Sequence, residues 1–118
     1  MAQTHSRPIK NGRAVYYTER LWELSRELPT QMVLIADIPE FEQNCWFRPH
    51  TPPTVRAVAE HAKRIAQADL SYPIILSADG RLMDGGHRLC KAWMLGQTEI
   101  AAIRFVIDPE PDYVIAEP

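Results

Sequence analysis

The chain has 118 residues, 46% of them hydrophobic, which is enough for one compact domain with a modest core and too few for a second. Thirteen basic and fifteen acidic side chains give a formal charge of -2, which removes any general electrostatic drive toward a nucleic-acid backbone. Cys45 and Cys90 form no Cys-x-x-Cys pair, no signal-peptide core opens the chain and no apolar run reaches bilayer length, so the expectation is a cytoplasmic protein with reduced thiols and no membrane role.

Met1 to Ala14 mix polar, basic and turn-forming residues without periodicity, which predicts a loosely ordered arm over residues 1–17. A helix is expected from Thr18, a good cap, because Leu21, Leu24 and Leu28 recur at helical spacing, Trp22 widens the stripe and Pro29 stops it. Gln31 to Ile38, rich in β-branched and aliphatic residues and closed by Pro39, predicts a short buried strand. Glu40 to Pro53 combines acids, Cys45, Trp46, Phe47, His50 and Pro49, Pro52 and Pro53, the composition of an irregular connection that carries function. A helix started by Thr51 or Thr54 follows, with Val55, Val58, Ala62 and Ile65 on one face and Arg56, Glu60, Lys63 and Arg64 on the other.

Pro73 to Leu76 reads as a strand, Ala78-Asp79-Gly80 as a turn and Arg81 to Asp84 as a returning strand. The next helix, from near Leu89, puts Leu89, Ala92 and Trp93 on a common face, with Gly96 as its cap. Glu99 to Ile107 supplies the last strand of a domain over residues 18–107. Residues 108–118 hold four acids, three prolines and no base, which predicts a surface tail with Tyr113, Val114 and Ile115 available to dock. The fold class is α+β, a mixed, short-stranded sheet packed with about three helices.

The most informative stretch is Asp84-Gly85-Gly86-His87-Arg88, where a strand, a glycine turn and a helix start follow one another. Glycines let the backbone turn sharply and approach a ligand, and the first amides of the helix lack intrahelical partners. The helix dipole adds positive charge, and His87 and Arg88 carry donors, so the turn suits phosphate. Asp84 suits a helix cap as well as a ligand role, and its carboxylate can share a magnesium ion with phosphate. For Arg88 a phosphate contact and a structural salt bridge are both open. Arg81, Arg88, Lys91 and Arg104 lie in the same third of the sequence and can form a local basic patch. The histidines His5, His50, His61 and His87 show no metal-ligand spacing.

Asp-Gly-x-His-Arg, with Pro73-Ile74-Ile75-Leu76 before it and Ala92, Leu95-Gly96 and an Ile-rich strand after it, resembles the ParB/sulfiredoxin-like superfamily over roughly Val33 to Phe105. The resemblance implies that superfamily's small domain and a nucleotide: ParB proteins use CTP, sulfiredoxins ATP, and a branch of free-serine kinases ADP. It places the phosphates at Asp84, Gly85, Gly86, His87 and Arg88, with magnesium at Asp84. The kinases also take a base from the region after the first strand, where Glu40 and Glu42 both stand, so the catalytic candidates are Glu40, Glu42 and His87. Sulfiredoxins have their nucleophilic cysteine where this chain has Gly86, which rules out their chemistry and leaves Cys90 as a packed thiol. The expectation is therefore a stand-alone nucleotide-binding domain using ATP, ADP or CTP with magnesium, with phosphotransferase or hydrolase activity, a small hydroxyl substrate or protein partner, and scope for homo-oligomers. The alternative is a non-enzymatic DNA-associated or regulatory module related to partition proteins. No DNA-reading helix-turn-helix follows the domain in this chain, and no clustered carboxylate set supports nuclease chemistry.

Overall fold

A computed structural model describes residues 3–117 of the chain. It opens with an antiparallel hairpin of β1 (Thr4–Ile9) and β2 (Gly12–Tyr17), turned through Asn11 at a φ of 65°. The other edge of β2 pairs antiparallel with β7 (Tyr113–Ala116), so the two ends of the chain share a three-stranded sheet. This corrects the expectation of a loose arm over residues 1–17, while in the expected surface tail over 108–118 the residues Tyr113, Val114 and Ile115 dock as a strand; Met1, Ala2 and Pro118 lie outside the described residues. Ala14 and Tyr16 point into the core, the Tyr16 hydroxyl donates to the carbonyl of Pro109 at 3.0 Å, and Arg7 pairs with Asp108 at 3.2 Å. Each contact joins residues about a hundred positions apart, so neither end carries a local signal of its own.

The principal sheet contains β3 (Thr30–Leu34), β4 (Ile74–Leu76), β5 (Leu82–Asp84) and β6 (Glu99–Arg104) in the order β3-β6-β4-β5. Only β4 and β6 run parallel, so the sheet is mixed. Side chains alternate across it. Ile74, Leu76, Leu82, Ile100 and Ala102 face one cluster with Leu89 and Ala92, while Ile75 and Met83 face a second with Ala14, Tyr16, Leu21 and Phe105. With both faces covered, β4 is buried throughout, and its continuous apolar run follows from that position.

Three helices dress the sheet. The helix α1 (Thr18–Ser25) takes Tyr17 rather than Thr18 as its capping residue, and ends three residues before Leu28 at the buried Ser25. The strand expected over Gln31–Ile38 stops at Leu34, because Ile35–Asp37 and Pro39–Glu42 form 3-10 turns that tuck Ile35 and Ile38 beneath the sheet. Thr54 caps α2 (Val55–Gln67), its hydroxyl accepting from the Ala57 amide at 3.1 Å. No residue of α2 is buried; Val55 is 90% exposed and Val58 50%, and the partly buried stripe is Ala57, His61 and Ile65. The expected Val55-Val58-Ala62-Ile65 face is thus displaced around the helix, which leans on α3 (Gly86–Met94). Lys91 of α3 ties the two together by donating to the carbonyls of Ala66 and Ala68 at 2.9 and 2.7 Å, at the carboxyl end of α2. Gly96 closes α3 in a Schellman motif, with bonds from Gly96 to Trp93 and from Gln97 to Ala92. Among the described residues no helix is long and apolar enough to cross a membrane.

The closure of the two chain ends is testable at Gly12, where any Cβ would strike the backbone of Ile115. Gly12→Ala is expected to release β7, seen as rapid amide exchange over residues 113–116 while β4 and β6 stay protected.

Candidate anion site

β5 ends at Asp84 and α3 begins at Gly86, so the whole change of direction falls on Gly85, which adopts φ 114° and ψ 26°. A Cβ there would lie 2.5 Å from Cγ2 of Ile74 and 3.0 Å from Nη2 of Arg88, so the turn demands glycine on both conformational and steric grounds. The first α-helical bond runs from the Leu89 amide to the Gly85 carbonyl at 2.9 Å, and no side chain caps the amides before it. Asp84 does not cap the helix, contrary to one of its two expected roles. Its Oδ2 accepts from the Trp22 indole at 2.8 Å and from Arg88 Nη2 at 3.1 Å, tying α1, β5 and α3 at one atom.

The turn opens into a cleft of about 1170 Å³ that also takes in residues of β1, β2, α1, α2 and the loop after Pro39. Six arginines line it (Arg7, Arg13, Arg48, Arg64, Arg81 and Arg88) against three acids, Glu19, Glu40 and Asp84, so it is net positive in a chain of net negative charge. The expected patch of Arg81, Arg88, Lys91 and Arg104 does not form: Lys91 holds the end of α2 and Arg104 donates to the Ala78 carbonyl at 3.0 and 2.6 Å. The cationic lining comes instead mostly from arginines distant in sequence. Arg88 makes the structural salt bridge, pairing with Asp84, and also lines the cleft and lies 5.5 Å over the Trp22 ring.

Glu40 lines the cleft, but Oε1 accepts from the Leu82 amide at 2.8 Å and Oε2 from Arg81 Nε at 3.2 Å, and its side chain is 8% exposed. It braces the start of β5. Glu42 is exposed on the 3-10 turn and is not part of the cleft lining. Of the two residues expected to activate a hydroxyl, the short turn after β3 therefore sets Glu40 in the lining, held by the sheet, and leaves Glu42 outside it.

His87, the second residue of α3, meets His61 of α2 with Nε2 and Nδ1 2.8 Å apart, and the Trp46 indole stacks over both rings at 4.7 and 4.5 Å. Trp46 and Phe47 thus pack on histidines, Phe47 edge-on to His61 at 5.4 Å. Burial, then His61 and the nearby arginines, pushes His87 down to about 4. Burial and Arg7 push His5, on β1, to about 4 as well. Two buried side-chain nitrogens in this cleft, His5 Nε2 and Arg88 Nε, have no hydrogen-bond partner among the described residues. His50 is exposed and away from the cleft. Cys90, part-buried, has its thiol pushed up by burial, as a packed cysteine should.

Sequence reasoning missed His61 and His5. His61 carried a signal, its i, i+4 spacing with Ala57 and Ile65, whereas His5 sits in a strand with no local signature.

Two outcomes follow. Gly85→Ala should lower stability by about 2 to 4 kcal/mol in urea unfolding, from strained backbone and overpacking together. Because His5 and His87 sit near 4 in the fold against 6.5 in the unfolded chain, the unfolded state binds more protons between those values. Stability is then flat above about pH 6.5 and falls as pH drops toward 5, a slope that urea midpoints should show and that His5→Leu should reduce. Comparison with protein-family models, with curated proteins and with solved structures yields no match.

Proposed function

We propose that this chain is a nucleotide-binding domain of the ParB/sulfiredoxin-like kind, with the phosphates seated on the amides and side chains of Gly85 to Arg88. The observation that carries this reading is the uncapped start of α3 behind a glycine that no other residue can replace, set in a cleft of six arginines. Helix amides and dipole favour an anion there, and arginines supply planar donors to its oxygens. The cleft is large enough for a nucleoside di- or triphosphate.

Among the described residues no group of three histidine, cysteine or carboxylate ligands could hold a metal, and the Asp84 carboxylate is engaged by Trp22 and Arg88. Those residues do not fit a protein-held magnesium. Any phosphotransfer or hydrolysis in this cleft would rest on positioning and charge stabilisation by the turn, with His87 as the group able to move a proton.

Calorimetric titration with ATP, ADP and CTP, each with and without magnesium, tests the proposal. Saturable binding to one of them, weakened at least tenfold in Arg88→Gln, is the expected result. No nucleotide binding, or salt-sensitive duplex DNA binding alone, would favour the regulatory reading instead.

A further inference from the structure

The pairing of His61 and His87 is more specific than general packing requires. The ring planes are inclined by only 17° with centroids 5.1 Å apart, so the facing nitrogens meet edge to edge. Two lone pairs do not face each other at 2.8 Å, so one nitrogen carries hydrogen and the other accepts it: the rings share a proton. Trp46 lies parallel to both, inclined by 8° and 11°, and spans the junction. The outer nitrogens, His87 Nδ1 and His61 Nε2, have no partner among the described residues and are not buried, so a second proton can enter from solvent.

We propose that His61 completes the anion site as the second member of a proton-coupled dyad, neutral in the free protein, which takes up one proton when a dianionic phosphate group docks on the start of α3. The inference rests on the reading that this turn binds phosphate. The charged groups around the dyad decide its state. Burial, then Arg64 on α2 and Arg88 on α3, oppose a further positive charge, while Glu60 on α2 and Asp84 on β5 favour it; Arg48 lines the same cleft. The opposition keeps His87 neutral at pH 7. A dianion beside His87 reverses the balance, and the indole face stabilises the cation that results. The incoming proton adds to an outer nitrogen, no covalent bond to the ligand forms, and the positive charge is delocalised across both rings. Since only the bound state holds the extra proton, affinity rises as pH falls, by at most tenfold per unit.

Sulfate is the probe, because it remains a dianion from pH 5 to 8 and does not itself titrate in that range. The full chain, labelled with nitrogen-15 at histidine, is titrated with sulfate at pH 6.0 and 7.5 while imidazole and backbone amide signals are followed. The expected result is that both outer nitrogens, His87 Nδ1 and His61 Nε2, take the protonated signature at saturation while the inner pair shares the third hydrogen. Affinity should be about tenfold higher at pH 6.0 than at 7.5, a ratio reduced to near twofold in His61→Asn, which retains a hydrogen bond but holds no second proton. Sulfate binding at Gly86 to Arg88 with both imidazoles still neutral, or with the same pH ratio in His61→Asn, overturns the dyad and leaves the phosphate reading intact. No amide shift at Gly86 to Arg88 at either pH overturns both.

Discussion

One carboxylate oxygen, Oδ2 of Asp84, holds the site together. It receives the Trp22 indole from α1 and the Arg88 guanidinium from α3, at the last residue of β5, so three elements converge on a single acceptor. The Asp84 and Arg88 side chains are only 23% and 18% exposed, and a part-buried pair of this kind is costly to break because either partner would be left uncompensated. Asp84 turns its carboxylate to these two donors, and no side chain caps the first amides of α3, whose N-cap residue is Gly85. The interaction that fixes the geometry of the turn thus stands beside a helix start with no side-chain cap.

The sheet supplies the rigidity behind this arrangement. Ile74 packs against Gly85 so closely that the turn admits no side chain, and Ile75, Met83 and Leu21 fill the opposite face. The small sheet formed by the two chain ends then lays β1 and the start of β2 along the cleft, bringing His5, Arg7 and Arg13 to a site whose central motif lies some seventy residues later. The cleft is cationic in a slightly acidic chain because Arg13, Arg48 and Arg64 line it without a carboxylate partner among the described residues, whereas Arg7, Arg81 and Arg88 are paired with Asp108, Glu40 and Asp84.

Where chemistry depends on local backbone, the sequence was readable. The hairpin through Ala78-Asp79-Gly80, the helix after the double glycine and its stop at Gly96 follow from residue types whose conformational limits are strong. The α+β class with three helices follows from the same punctuation. The terminal strands were not readable, because β1 and β7 are stabilised by β2 and by distant contacts such as Arg7 to Asp108, which no window of neighbouring residues contains. Within the site, Gly85 to Arg88 stood out, whereas the hydrogen bond that Glu40 accepts from the Leu82 amide, 42 residues away, had no local signal. His61 matters through a partner 26 residues away on a different helix.

The central claim is that ligand phosphates sit on the start of α3. The most direct test is a backbone amide and indole shift map recorded while ATP, ADP and CTP are added with magnesium. The account predicts that the largest changes fall on Gly86, His87 and Arg88 and on the Trp22 indole that shares Asp84 with Arg88. Saturable binding that leaves those signals in place and moves a different surface would contradict it.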